Sequence, residues 1–149
     1  MIYREVQQDL FSVSKDYYLA HCISADFKLG AGIAVEFQRR FNLREDLLYA
    51  FGSKWYLEYD NQFNGDAFLH CNKRVIDLIT KTRYWHKPTL YSMERALEKM
   101  KGICEKYNIE KIAMPKIGCG LDKLKWEDVS ELIKEVFQDT DIEILVCYK

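Results

Sequence analysis

Short apolar runs rich in β-branched and aromatic residues recur along this chain, and several lack the apolar–polar alternation of a half-exposed strand. They are Ile2 to Val6, Tyr17 to Ser24, Lys54 to Tyr59, Val75 to Thr80, Lys111 to Met114 and Ile142 to Tyr148. A strand without a polar face must be covered on both sides, which calls for helices above and below a sheet. The intervening segments supply them. Leu90, Met93, Leu97, Met100, Cys104 and Tyr107 fall at three- and four-residue steps, as do Trp126, Val129, Ile133, Val136 and Phe137; both patterns predict amphipathic helices. A third helix is expected from about Ala31 to Phe41, with Ile33, Ala34, Phe37 and Phe41 on one face. Thr89, directly after Pro88, is placed to cap the first of these helices. The alternation predicts an α/β fold, and consecutive strands within Lys54 to Thr80 predict a mixed sheet.

At 149 residues, with no repeat and only Pro88 and Pro115 as prolines, residues 1–149 read as one domain. Lysines and arginines number 22 against 23 aspartates and glutamates, a net charge of -1. That leaves no general attraction to nucleic acid or an anionic membrane, so any phosphate must be caught locally. No apolar run approaches the roughly 20 residues that span a bilayer. Arg4, Glu5 and Asp9 stand where a signal peptide would be apolar. An intracellular, cytoplasmic protein is expected, nuclear being open if the source is eukaryotic. Five scattered cysteines without a C-x-x-C pair fit a reducing compartment. In His21-Cys22 and His70-Cys71, neighbouring strand residues point to opposite faces, so neither pair grips one ion easily; buried cysteines, satisfied histidines and no metal are expected. No helix shows a second apolar stripe, so a monomer is the default.

Two glycine-bearing loops follow strands and lead into helices, which is where open α/β sheets bind ligands. Gly30-Ala31-Gly32-Ile33-Ala34 opens the third helix, and its backbone N–H groups are suited to an anion. Val35 stands where the dinucleotide fingerprint needs glycine, and no P-loop occurs. Pro115-Lys116-Ile117-Gly118-Cys119-Gly120-Leu121-Asp122 is the second loop. Each loop also reads as a plain turn, and Asp122 as a helix cap. Lys81, in Thr80-Lys81-Thr82-Arg83, reads as a solvated strand end or as an amine partly desolvated beside Arg83 and so made nucleophilic.

Taken together, Asp9-Leu10-Phe11, Leu19 to Ser24, Gly30 to Val35, Leu78 to Lys81, His86 to Thr89, Met114 to Asp122 and Trp126-Glu127 resemble the macro domain family, in its terminal ADP-ribose protein glycohydrolase-like branch. The stretches follow the family's order over nearly the whole chain. The resemblance implies a mixed six-stranded sheet sandwiched between α-helices, with ADP-ribose lying across its top. It implies that Asp9 and Leu10 meet the adenine, and that Ser24, Gly30, Ala31, Gly32, Ile33, Ala34, Pro115, Ile117, Gly118, Cys119, Gly120 and Leu121 enclose the rest. It further implies that Lys81 attacks the anomeric carbon of the distal ribose while Asp122 handles protons, without cofactor. The implied activities are removal of ADP-ribose from acidic side chains of proteins and deacylation of O-acyl-ADP-ribose. A non-catalytic ADP-ribose reader, an ADP-ribose 1''-phosphate phosphatase and a nucleic-acid de-ADP-ribosylase are the alternatives. One departure is Gln8, where the family usually has glycine, so the turn before Asp9 must accept a side chain.

Overall fold

The computed structural model describes residues 1–59 and 63–149. Its elements run β1 (Ile2–Gln7), β2 (Tyr18–Ser24), α1 (Ile33–Phe41), α2 (Leu43–Phe51), β3 (Asp66–His70), β4 (Val75–Lys81), α3 (Leu90–Tyr107), β5 (Lys111–Met114), α4 (Trp126–Phe137) and β6 (Glu143–Tyr148). The six strands form one sheet in the order β1-β6-β5-β2-β4-β3. All neighbours are parallel except β3, which runs antiparallel to β4, so the sheet is mixed as the sequence predicts.

β4 shows why its sequence lacks polar alternation. Ile76 and Leu78 pack against Met93, Leu97 and Met100 of α3 and Ile133 of α4. Val75 and Ile79 belong to the opposite core, with Phe37 of α1 and Leu43 and Leu47 of α2. Helices cover both faces. Thr89 caps α3 as expected: its side chain accepts from the Ser92 N–H, and the Ser92 hydroxyl accepts from the Thr89 N–H, both at 3.0 Å.

The strand expected at Lys54 to Tyr59 is absent. Trp55–Glu58 is a short 3-10 turn, and Trp55 stacks on Phe51 at 4.6 Å and Phe27 at 5.7 Å between centroids. Aromatic packing, which mimics β propensity in a sequence, won over strand pairing. The sixth strand is Asp66–His70 instead. The Asn-Gly pair in Asn64-Gly65-Asp66 reads as a hairpin turn, but it leads into β3, and β3 turns into β4 through Cys71–Lys73 and left-handed Arg74. Gly65 serves a different contact. It sits at φ 107°, and a Cβ there would lie 2.4 Å from the Ser92 carbonyl oxygen. Gly65→Ala is expected to cost about 2 kcal/mol or more, read as a lower urea midpoint; an unchanged midpoint would show that β3 can shift away from α3 freely. Helix α2 was not foreseen. Left-handed Asn42 ends α1 and starts α2, whose anchors are Leu43 and Leu47.

One polar cluster lies in the α1/α2 core. Asp77 is fully buried and receives His21 Nε2 at 2.7 Å and His70 Nε2 at 2.5 Å. His70 Nδ1 also meets Asp46 of α2 at 2.7 Å, and Lys73 meets the same carboxylate at 2.8 Å. With carboxylates at both ring nitrogens, His70 fits an imidazolium that donates twice. The His21 ring lies 3.8 Å from the Phe37 ring, stacked at 11°. The histidines are therefore joined by one acid. Among the described residues, no group of three or more His, Cys, Asp or Glu side chains is arranged to hold a metal ion. The cysteines are not all buried as expected: Cys71 is exposed, beyond the end of β3.

Candidate active site

Parallel strands β2, β4 and β5 end at one edge of the sheet, and the three loops that follow them build a cleft. A bulge between Ile23 and Ser24 sets Ser24 opposite Lys81. Ala25 N–H then donates to the Lys81 carbonyl at 2.8 Å, tying the first loop to the strand end that bears the lysine. In that loop Phe27 and Leu29 adopt left-handed backbone, φ 57° and 51°. Both side chains are buried, so core packing offsets the strain. Arg44 of α2 braces the turn by donating Nε to the Phe27 carbonyl at 2.7 Å and by a further bond to the Lys28 carbonyl. The loop ends on Gly32, at φ 61° and ψ -148°, a conformation that β-carbon-bearing residues avoid. Gly32 caps α1 without a side-chain bond, which leaves first-turn N–H groups of α1 at the cleft wall. Gly32→Val should weaken ligand binding and cost about 1–3 kcal/mol in stability through φ alone; denaturant melts with and without ligand would separate the two losses.

The second loop is closed by its own backbone: Leu124 N–H donates to the Gly118 carbonyl at 2.8 Å and Lys123 N–H to the Gly120 carbonyl at 3.2 Å. Lys87 reaches across to the Leu121 carbonyl at 2.6 Å. Asp122 is not a helix cap, since α4 is preceded by Lys125 in that position. Its carboxylate instead receives Lys81 Nζ at 2.5 Å, with only 13% and 15% of the two side chains exposed. Arg83 is not among the residues that line the cleft. Its guanidinium lies over Tyr56 and Trp85.

The cleft holds about 630 Å³. Ser24, Gly30 to Ala34, Lys81, Pro115, Ile117, Gly118, Gly120, Leu121 and Asp122 line it. Asp9 and Leu10 line a second recess of about 600 Å³, and Ile33 and Pro115 belong to both walls, so the two spaces adjoin. Cys119 does not line the cleft. Its thiol turns back to donate to the Ile117 carbonyl at 3.2 Å, and the residue packs on the α3/α4 core. Gln8 poses no difficulty for its turn, because it needs no positive φ. Asp9 Oδ1 accepts from the Phe11 N–H at 3.1 Å and fixes the following 3-10 turn.

Two features of the lining escaped the sequence. Lys28, Lys81, Lys87 and Lys116 all line the cleft, against Asp122 as the one acidic lining residue among the described residues. A locally cationic trough thus exists in a chain of net charge -1, hidden because its lysines come from four separate positions. Cys22 is the second. Burial pushes its thiol well above its ordinary value and the Asp122 charge adds to this, so the thiol stays protonated.

Fold and site together define an α/β domain with a ligand trough laid across the carboxyl ends of its parallel strands. The chain belongs to the macro domain family: the family model described as Macro domain matches residues 57–133. The chain is similar to the ADP-ribose glycohydrolase OARD1 of Homo sapiens, 43% identical over 145 residues, covering 95% of this chain and 88% of that one. Among solved structures it is similar to the macrodomain of Mycobacterium tuberculosis DarG, with a TM-score of 0.81, 22% identity and coverage of 99% and 98% of the two chains. Thermosipho africanus DarTG in complex with ADP-ribose matches with a TM-score of 0.71 and 18% identity over 98% of this chain and 41% of that one. The last two likenesses show the fold alone. Among the described residues no helix is long and apolar enough to cross a membrane.

Proposed function

We propose that this chain, acting as one domain and a monomer, binds ADP-ribose and hydrolyses it from acidic side chains of proteins and from O-acyl-ADP-ribose. The observation that carries the reading is the 2.5 Å pairing of Lys81 Nζ with Asp122 inside the cleft. The name of the human relative, ADP-ribose glycohydrolase, supports the same activity.

Adenine lies in the recess by Asp9 and Leu10, and the diphosphate lies between Gly30–Ala34 and Ile117–Leu121, where backbone N–H groups and the lining lysines meet its charge. The distal ribose then reaches Lys81 and Asp122. Asp122 takes a proton from the Lys81 ammonium, and the free amine forms a bond to the anomeric carbon as the bond to the carboxylate leaving group breaks. A carboxylate needs no proton to depart. Asp122 passes the proton it holds to the departed carboxylate and is again a base; water then attacks the same carbon with Asp122 accepting its proton, the carbon–nitrogen bond breaks, and that proton returns to the amine. For O-acyl-ADP-ribose, Asp122 directs water to the acyl carbonyl. A non-catalytic reader would have no use for the pair.

Free ADP-ribose at about 100 times its dissociation constant should add roughly 2.7 kcal/mol of stability. In a protein of this size that amounts to a rise in Tm of about 5–10 °C. Absence of any rise under calorimetry would sink the reading at its root.

A further inference from the structure

The Asp9–Leu10 recess adjoins the cleft that holds the Lys81–Asp122 pair, and Tyr84 and Lys87, from the segment that follows β4 and its terminal Lys81, line that same cleft. Whatever is esterified to the reacting carbon therefore emerges beside the segment that follows β4. That segment is a built lip. Tyr84 N–H donates to Asp26 Oδ2 at 3.0 Å, and Asp26 Oδ1 receives the Ser24 hydroxyl at 2.6 Å, so one carboxylate joins the lip to the first glycine loop. Arg83 N–H donates to His86 Nδ1 at 3.2 Å, and His86 N–H donates back to the Arg83 carbonyl at 3.0 Å. The rings interlock edge to face: Tyr84 on Trp85 at 5.0 Å and 87°, Trp85 on His86 at 5.4 Å and 74°.

For all this ordering, Tyr84 is 55% exposed and Trp85 60%. Aromatic side chains held in one orientation yet left in water offer area for a partner at little further entropic cost. The nearby cations are already engaged, Arg83 over the rings of Tyr56 at 5.2 Å and Trp85 at 5.7 Å, and Lys87 on the Leu121 carbonyl at 2.6 Å. The lip thus presents ring faces and edges beside two cations already held in place, Arg83 by the rings and Lys87 by a carbonyl. That suits a polypeptide better than the phosphate backbone of a nucleic acid, which needs unpaired cations.

We infer that Tyr84 and Trp85 seat the polypeptide that carries the ADP-ribosyl ester, an inference that rests on the function proposed above. Protein substrates depend on Trp85, and small acyl substrates do not. The test compares Trp85→Ala with wild type on an acidic peptide bearing ADP-ribosyl-glutamate and on O-acetyl-ADP-ribose. On the peptide, kcat/KM should fall about tenfold, mainly through KM, a change worth roughly 1.4 kcal/mol. On O-acetyl-ADP-ribose it should hold, as should the thermal shift with ADP-ribose. Trp85→Phe should restore most of the peptide activity, and Trp85→Lys should reproduce the loss if the alanine variant folds poorly. Equal losses on both substrates, or none on either, overturn the seat. So does a loss confined to an ADP-ribosylated oligonucleotide, which would assign the lip to nucleic acid. Wild type inert on both substrates would instead remove the proposed hydrolase, and the lip's role with it.

Discussion

Lys81→Ala is expected to abolish hydrolysis of ADP-ribosyl-glutamate, by on the order of 10³-fold or more in kcat, while the protein still gains thermal stability from ADP-ribose. The expectation rests on where the lysine stands. It ends β4, it is only 13% exposed, and its amine is held at 2.5 Å from Asp122 rather than waving in solvent. Asp122→Asn keeps the shape of the side chain but cannot take a proton, so its loss should be smaller, about 10²-fold. The double variant should be little worse than Lys81→Ala, since both groups serve one proton-coupled step. Borohydride added during turnover should trap the ribosyl adduct, through its ring-opened imine, on Lys81 and on no other lysine. Wild-type rates in Lys81→Ala would leave the covalent route without support, whereas retained binding with lost turnover distinguishes enzyme from reader.

The second large effect concerns stability. Asp77→Ala is expected to cost about 3–5 kcal/mol, because it leaves two buried histidines without the acid that joins them. Domains carry only about 5–15 kcal/mol in total, so the loss should appear as a much lower Tm, or as failure to fold at elevated temperature. Asp77→Asn keeps the volume and should cost less. The cluster also sets a pH profile. Burial alone would raise the Asp77 pKa, but hydrogen bonds and charge from His21 and His70 outweigh it and hold the carboxyl below its ordinary range. Its contribution is present above the unfolded value near 3.8 and is lost as pH falls through the lower folded value. Burial alone would lower the His70 pKa, but the carboxylates of Asp77 and Asp46 outweigh it and raise it. That contribution is complete below the unfolded value near 6.5 and is lost as pH rises through the higher folded value. Calorimetry should therefore find the cluster strongest between about pH 4 and 6.5. Asp77→Asn should flatten both flanks, and parallel profiles for wild type and variant would contradict the assignment.

The aromatic turn at Trp55 and the acid cluster at Asp77 mark two different limits on reading this chain. Tyr, Trp and Leu in Lys54 to Tyr59 score as strand on composition, yet Trp55 stacks on nearby Phe51 and on Phe27, which lies outside any local window. Asp77 sits in an otherwise apolar run, and nothing nearby announces that His21, 56 residues earlier, will share it. The cationic lining was invisible for a related reason. Lys28, Lys81, Lys87 and Lys116 sum with distant acids to near neutrality in the chain, and only folding separates them into a trough.

Where the information was periodic or punctuated, the order of residues was enough. Both-face burial of β4, the long faces of α3 and α4, the Thr89 cap and the two glycine loops after β2 and β5 are local consequences of side-chain spacing and backbone freedom, and they determined an α/β sandwich with loops at the strand ends. Tertiary structure alone decided which side chains converge there. It turned Asp122 onto Lys81 instead of onto a helix end, turned Cys119 away from the cleft, and set the Arg83 guanidinium over the Trp85 ring. For Asp122 the reason is that a hydrogen bond acts at a few ångströms, on a partner that lies 41 residues away along the chain.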